Sequence, residues 1–383
     1  MEHHIMDDHV LSHKQLKLSF LTGTLDGGGA EKLQLILSDY FAKKGIDTDL
    51  VAFQKVGSLV HQIPSSIHFT DLKVKRIVTS LPIYRNYLKD HTSRIIISSV
   101  MRPNIIACLG KIFHKKSHKL IIRIDSAPFN GVSLLKQPKH CVLLGLCMLT
   151  YPFADAIVCI SQAMREQILS FPFIRKEKVH LIYNPVLAPS YNEKLHEPLP
   201  ERALALFSDG VPVILAVGRL HPAKDYPTML RAFALVRQQM ECRLVILGEG
   251  ALLHELMALS ESLGITESVH FVGFIDNPLP WMHHADLFVL SSIYEGLSGV
   301  LIEALASGTP VISTDCPTGC AEILNNGEFG DLVTVGDHKA LAESMIKNVM
   351  TPKTPIADAL RQHVQQFHSD VAGTSYLALI QSL

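Results

Sequence analysis

Between Tyr294 and Pro310 the chain reads YEGLSGVLIEALASGTP, which sets two carboxylates, Glu295 and Glu303, on either side of a run of small residues. The stretch Gly296-Leu297-Ser298-Gly299 leads into a helical pattern, so Glu295 falls before a helix and Glu303 one turn inside it. Free N–H groups at such a helix start attract a phosphate or another anion. Two carboxylates bracketing that start can accept hydrogen bonds from vicinal hydroxyls, the groups a sugar and a ribose present. Taken alone, the pair also fits a capping carboxylate and a surface Glu.

A second segment, GRLHPAKDYP (218–227), follows an apolar run directly and carries Arg219 and Lys224. Arg can fork onto two phosphate oxygens and Lys acts as a mobile point charge, so together they could neutralise a diphosphate leaving group. Pairing with Asp225 or other surface acids is the alternative. A third, Gly27-Gly28-Gly29, follows the first apolar run. Glycines let a backbone approach a ligand closely. No GK[ST] follows and the GxGxxG spacing is incomplete, so a tight turn without a ligand fits equally well.

Two series of alternating elements must position these residues. LKLSFLTG (16–23) precedes the glycines, and a helical stripe through Leu33, Ile36, Leu37, Tyr40 and Phe41 follows, stopped by Gly45. Strand-like runs recur near 48–53, 95–99, 119–124, 156–160 and 179–182. Runs such as RIIISS and DAIVCIS are apolar at nearly every central position, as parallel strands covered on both faces must be. The proline-rich segment 184–201 breaks the rhythm and reads as the interdomain linker. A second series starts with VPVILAVG (211–218) and runs through strands at 243–248, 269–273, 286–292 and 310–314, with helices near 227–239, 251–263 and 299–307. The fold class is α/β, with two doubly wound, Rossmann-like domains facing each other across a cleft. The boundaries drawn are 1–14 as a mobile start, 15–187 as an acceptor-side domain, 188–365 as a donor-binding domain, and 366–383 as a helix docking back on the first domain.

Bulk properties agree with two globular domains. The chain has 383 residues, 48% of them apolar, which is too long for one core and too oily for disorder. Its net charge of -1 conceals an asymmetry: residues 1–190 hold 24 Lys+Arg against 14 Asp+Glu, and the rest hold 11 against 22. A basic first half suits an anionic acceptor or lipid surface, or is ordinary solvated charge. Seven cysteines, an odd number in apolar surroundings, point to a reducing compartment and buried thiols. The acidic, His-rich start lacks the layout of a signal peptide. The uncharged run Cys141–Ala154 is shorter than the ~20 residues a bilayer span needs. These features predict a cytoplasmic protein, soluble or peripheral at the inner face of a membrane.

The pairing of GRLHPAKDYPTMLRAFA with EGLSGVLIEALASGTPVISTDCPTG, including the spacing Glu295-x7-Glu303, resembles the donor domain of family 4 retaining glycosyltransferases. VILGEG (245–250), VHFVGFIDN (269–277), ADLFVLSSIYEG (285–296), IYNPV (182–186) and LDGGGAEK fit as well, so the similarity covers nearly the whole chain. The resemblance implies the GT-B fold. It also implies transfer of a hexose or N-acetylhexosamine from a nucleotide sugar, a UDP-sugar, to a hydroxyl of a glycan or lipid-linked acceptor. The setting would be polysaccharide, lipopolysaccharide or glycoconjugate biosynthesis, with no metal or cofactor required. Arg219 and Lys224 would hold the diphosphate, Glu303 the ribose hydroxyls, and Glu295 the donor sugar near the reacting face. Backbone groups of Gly296, Leu297, Ser298 and Gly299 would touch sugar and phosphates, and Gly28 and Gly29 would close over the phosphate. Phe274 would lie near the base, an ordinary core aromatic at a strand end being the alternative. Configuration would be retained by front-face attack, with the leaving phosphate taking the acceptor's proton.

Many relatives carry a His or another polar residue where this chain has Arg123-Ile124-Asp125-Ser126, so Asp125 becomes the candidate for contact with donor sugar or acceptor hydroxyl. A strand-end carboxylate capping the next turn is the alternative. UDP-N-acetylglucosamine 2-epimerases share the two-domain fold, but EGLSGVLIE and GRLHPAK speak against them. A non-catalytic sugar-nucleotide-binding protein is a further alternative, disfavoured because both Glu and both cations are present.

Other motifs are set aside. Asp47-Thr48-Asp49 spells a metal-binding DxD but opens a strand far from the diphosphate elements. His3, His4, His9 and His13 belong to the mobile start, and His283-His284 resembles nothing catalytic. The basic run KIFHKKSHK (111–119) has no nucleic-acid module beside it, so nucleic acid is not an expected partner. Together with the oily helical stretch Leu134–Tyr151, it motivates peripheral contact with an anionic membrane, against simple burial of that helix on the sheet.

Overall fold

The apolar runs become strands of two all-parallel sheets in a computed structural model, which describes residues 16–26, 29–91, 94–113, 118–126, 138–351 and 356–383. The expected mobile start with its histidines, Gly27, Gly28, and residues 114–117 of the basic run lie outside the described residues.

The first domain runs β1 (Lys17–Thr22), α1 (Gly29–Lys43), β2 (Asp47–Ala52), β3 (His68–Asp71), α2 (Leu81–Asp90), β4 (Ile95–Ser99), α3 (Met101–Phe113) and β5 (Leu120–Ile124). It continues with α4 (Pro138–Thr150), β6 (Ala156–Cys159), α5 (Gln162–Leu169) and β7 (Val179–Leu181). A short helix, α6 (Tyr191–Leu195), interrupts the segment read as linker, and another, α7 (Glu201–Leu204), starts at its last residue.

The second domain opens with β8 (Val213–Val217), α8 (Tyr226–Arg237), β9 (Arg243–Leu247), α9 (Leu253–Ser262) and β10 (Val269–Gly273). Next come α10 (Leu279–His284), β11 (Leu287–Leu290), α11 (Gly299–Ala306), β12 (Val311–Thr314), α12 (Cys320–Ile323), β13 (Asp331–Val333) and α13 (His338–Met350). The chain finishes with α14 (Asp358–Val364) and α15 (Ser369–Ser382).

Strand order is 3-2-1-4-5-6-7 in the first sheet and 10-9-8-11-12-13 in the second. In both, order reverses beside the first strand, and the carboxyl ends there open a crevice in which ligands of doubly wound sheets bind. Loops after β8 and β11 carry Arg219, Lys224 and Glu295, and the end of β5 carries Asp125. α1 buries Leu37 and Phe41 with Gln34 and Ser38, while Leu33 turns towards the crevice.

The chain crosses between domains twice at one place: Leu187 N–H donates to Phe367 O, and Ser369 N–H donates to Leu187 O, both at 3.0 Å. Beyond that crossing α15 lies on α1. Ala372, Tyr376, Leu379 and Ile380 share an apolar core with Phe20 and Phe41. Gly373 sits so close to the Tyr40 ring that a Cβ there would come within 2.1 Å of it.

The DxD residues serve the first sheet. Asp49 is fully buried and accepts from Tyr87 (2.8 Å) and Thr70 (3.0 Å), and Asp47 pairs with Arg94 (2.8 Å). Among the described residues no group of three or more His, Cys, Asp or Glu could hold a metal ion. None of the described helices is long and apolar enough to cross a membrane.

Candidate active site

Glu295 is fixed before any ligand arrives. Its Oε1 accepts from Lys224 Nζ at 2.5 Å and from Ser292 Oγ at 2.6 Å, and its carbonyl accepts from Thr318 Oγ1. The neighbouring turn is pinned too: Ile293 N–H donates to Ala223 O (2.8 Å), and Ser291 Oγ donates to Lys224 O (2.7 Å). Gly319 holds a left-handed φ of 87°, and a Cβ there would lie 2.5 Å from Gly296 O. A side chain at this position would push the Glu295–Gly296 backbone out of place.

Lys224 thus pairs inside the site, with Glu295. Arg219 is exposed on the cleft wall and forms no side-chain hydrogen bond or ion pair among the described residues. Asp225 instead caps α8 from a left-handed φ of 46°, accepting from Thr228 N–H at 3.4 Å. A capping carboxylate needs its oxygens turned to the helix start, which leaves the cation free.

α11 reads GVLIEALA, and Glu303 is its only charged residue. Leu301, Ile302, Ala304 and Leu305 bury the helix, so Glu303 is held in apolar surroundings on the cleft wall. That burial pushes its carboxyl up to about 7, with Lys32 and Lys194 pulling the other way. Among the described residues its carboxylate accepts no hydrogen bond; its backbone carbonyl accepts from Tyr191 OH and from Ser307 N–H, both at 3.0 Å. Ser298, at the start of α11, is 2% exposed, and its Oγ is likewise unpartnered.

The first domain completes the cleft, a space of about 470 Å³, with Gly29, Lys32, Leu33 and Asp125. A Cβ on Gly29 would meet nothing within 4 Å, so protein packing does not demand glycine there. Gly296 is different: a Cβ would come within 2.7 Å of Asp125 O across the two domains. A smaller space of about 150 Å³ adjoins on the other side of the Lys224–Glu295 pair, edged by Ser126, His221 and Tyr294.

Asp125 stands in a buried polar cluster. Its Oδ1 accepts from Arg123 Nη2 (2.8 Å) and its Oδ2 from the N–H of Val100 (3.4 Å). Val100 is a β-branched residue at φ 71°, a conformation such residues avoid. Arg123, 1% exposed, also donates to Asn184 Oδ1 (2.9 Å), while its Nε and Nη1 remain unpartnered. Sequence reasoning passed over Arg123 and Asn184, although Asn184 lies in the IYNPV motif. It passed over Glu31 as well, whose carboxyl is raised by burial, with Asp125 and Asp26 adding to the shift and Arg219 opposing it.

The site residues read from sequence do not all meet. Arg219, Lys224, Glu295, Gly296, Leu297, Ser298, Gly299, Glu303, Gly29 and Asp125 line one cleft. Phe274 does not line it: the residue is 67% exposed just past β10, and its N–H reaches Glu249 Oε1 at 3.4 Å. Gly28 lies outside the described residues.

The domains also touch beside the cleft. Glu322 of α12 accepts from Gln162 N–H at the start of α5 through both oxygens (3.0 and 2.9 Å), and from Tyr183 OH at 2.5 Å.

Comparison with known proteins bears on this geometry. The family model described as Glycosyl transferases group 1 matches residues 211–350, and that described as Glycosyltransferase Family 4 matches residues 27–187. The chain is 28% identical over 347 residues to the Campylobacter jejuni N-acetylgalactosamine-N,N'-diacetylbacillosaminyl-diphospho-undecaprenol 4-alpha-N-acetylgalactosaminyltransferase, covering 86% of this chain and 89% of that one. It is 27% identical to the lipopolysaccharide 1,6-galactosyltransferase of Salmonella typhimurium, over 70% of this chain and 69% of that one. Among solved structures, Anabaena HepE in complex with UDP superposes with a TM-score of 0.76 at 20% identity, over 96% of this chain and all of that one. With its two facing doubly wound domains and both family models matched in order, the chain belongs to the family 4 glycosyltransferases of GT-B fold, and it is a glycosyltransferase.

Proposed function

We propose that the chain transfers a hexose or N-acetylhexosamine from a UDP-sugar, with retention of configuration, to a hydroxyl of a glycan or lipid-linked acceptor. The observation that carries this reading is the unpaired Arg219 facing the start of α11, beside Lys224 and the unpartnered Ser298 hydroxyl. A diphosphate supplies acceptor oxygens for all three and for the free N–H groups of the helix start. Its charge is then met by protein groups without a metal. Lys224 exchanges Glu295 for phosphate, which frees the Glu295 carboxylate for the donor sugar. Glu303, unpartnered on the same wall, takes the ribose hydroxyls.

Retention is what the family resemblance implies, and a front-face route to it needs no nucleophilic side chain. Asp125 is held by Arg123, and Glu295 keeps the hydrogen bond from Ser292 when Lys224 turns to phosphate, so the proposed route asks neither to form a covalent intermediate. The acceptor oxygen then bonds to the anomeric carbon on the face from which the diphosphate departs, and a leaving phosphate oxygen takes its proton. Asp125 would orient the sugar or the incoming hydroxyl.

UDP in the HepE complex supports the choice of base, and the diphospho-undecaprenol in the Campylobacter enzyme's name supports a lipid-linked acceptor. The proposed setting is polysaccharide, lipopolysaccharide or glycoconjugate assembly at the cytoplasmic face of a membrane, in peripheral contact with anionic lipid. Calorimetry with a panel of UDP-sugars, followed by transfer assays on undecaprenyl-linked glycans, tests the reading. Binding of a UDP-sugar followed by acceptor-dependent release of UDP is the expected result. No nucleotide binding, or acceptor-free interconversion of the sugar, would overturn it.

A further inference from the structure

The loop that follows β12 reads DCPTGC and ends in the first residue of α12. Its two cysteines, Cys316 and Cys320, are free thiols and are both buried, at 3% and 0% exposure. Their Sγ atoms lie 3.5 Å apart, in hydrogen-bond contact. A disulfide holds its sulfurs at about 2.05 Å, so closing this pair takes a movement of about 1.5 Å.

The turn between the two sulfurs is the one that holds Glu295. Thr318 Oγ1 donates to the Glu295 carbonyl, and Gly319 packs so closely on Gly296 O that a Cβ would lie 2.5 Å from it. Gly296 in turn backs onto Asp125 O of the first domain. Thr318 and Gly319 sit at left-handed φ of 92° and 87°, a conformation that a β-branched residue avoids. On one side the loop is anchored by β12, an inner strand of its sheet. On the other it is anchored by α12, whose Glu322 is bonded to the first domain. When the sulfurs approach each other, the strained turn between them is the part left to move, and it has no slack against Glu295 and Gly296.

We propose that Cys316 and Cys320 are a site of reversible oxidation, at which a peroxide joins the two thiols in a disulfide and draws Glu295 and Gly296 out of their working positions. Cys316 reacts first, because exposed Asp315 and Pro317 flank it. Hydrogen bonding to Cys316, together with burial, holds the Cys320 thiol well above its usual range, so that sulfur keeps its proton. The Cys316 thiolate attacks one oxygen of hydrogen peroxide and the O–O bond breaks. The departing hydroxide takes a proton and leaves as water, and a sulfenic acid remains on Cys316. Sγ of Cys320 then attacks Sγ of Cys316, the S–O bond breaks, and the Cys320 proton leaves with the hydroxyl as a second water. Two electrons pass from the thiols to the peroxide, and a thiol reductant returns them. The device acts on the wall of the cleft whichever sugar the donor carries, and so goes beyond the reaction proposed above.

The test treats the full chain with hydrogen peroxide, alkylates the remaining thiols and digests with trypsin. Cleavage after Arg243 and Lys339 isolates the pair in a peptide with no other cysteine. That peptide is expected to take up alkyl groups only after dithiothreitol is added. Calorimetry with UDP is expected to show an affinity about tenfold lower for the oxidised chain, restored by dithiothreitol. Cys316→Ala and Cys320→Ala are each expected to keep the parent's affinity and to hold it through peroxide treatment. Amide exchange across residues 293–299 is expected to quicken in the oxidised parent and in neither variant. Exchange and peptide mass need no nucleotide, so a failure to bind UDP counts against the donor assignment alone. A peptide that stays fully alkylated, an oxidised parent with unchanged exchange, or a loss that both alanine variants share would each overturn the proposal.

Discussion

On the second domain's side of the cleft, the bonds that shape the site are local to neighbouring loops of one sheet. Glu295 is held by Lys224, Ser292 and Thr318, and the 222–224 turn by Ile293 and Ser291. On the first domain's side, Asp125 depends on a buried Arg123, which is shared with Asn184 of the linker and keeps two nitrogens unpartnered. The second wall is preorganised for charge, with Arg219 and Ser298 free to take a ligand. The first is a polar cluster enclosed by protein, where any change must be borne by its neighbours. On the function proposed above, the difference suits a diphosphate met by a fixed set of groups on one side and an acceptor set by the other.

The largest expected effect breaks the first wall. Arg123→Met leaves the Asp125 carboxylate buried without its cation and is expected to cost ~3–5 kcal/mol in chemical denaturation. A loss below about 1 kcal/mol would show that the pair does not organise this wall.

Next, Lys224→Ala and Glu295→Ala are expected to lower kcat by about 10²–10³ with little change in melting temperature. If either kept full activity, the preorganised pair would have no part in the reaction.

A smaller effect comes from Glu303, whose carboxyl is pushed up to about 7 by burial. Its folded state binds a proton more tightly than its unfolded state, so stability falls as pH rises from about 4.5 to about 7 and levels off above. Glu303→Gln removes that penalty. Its melting temperature is expected to gain on the parent's across this window, while UDP affinity drops about tenfold at pH ~8. Parallel melting curves across the window would contradict the burial argument.

The smallest effects test the space between the walls. Gly29→Ala meets no protein atom within 4 Å, so stability should hold or rise slightly while donor KM rises a few-fold if a phosphate packs there. Glu322→Ala removes the contacts to Gln162 and Tyr183 and should raise donor and acceptor KM by about two- to tenfold without changing the melting of either domain's core.

Much of the second wall was legible in the sequence because its residues are local in the chain and follow uninterrupted apolar strands. β10 spans 269–273, as its pattern predicts, and α11 starts at Gly299 as expected. The edge strands β3 (HFTD) and β13 (DLV) were not legible, being too short and too polar to show a period. The helix expected over 134–151 spans Pro138–Thr150, with 134–137 outside the described residues, and an apolar run without periodicity could not show that only one of its faces is covered. Arg219 was equally compatible with Asp225 as a partner until the left-handed turn at Asp225 committed that carboxylate to α8. The polar cluster around Arg123 joins residues 100, 123, 125 and 184, distances along the chain that no local pattern records.

The return of α15 to the first domain has a consequence for biosynthesis. A ribosome delivers β1 and α1 early, yet the apolar groove beside Phe41 and Tyr40 is filled by Ala372, Gly373 and Tyr376, which emerge only after the whole second domain has been made. The first domain to be translated is therefore the last to close. Until it does, the nascent chain carries an open apolar groove for the length of some 300 residues of synthesis.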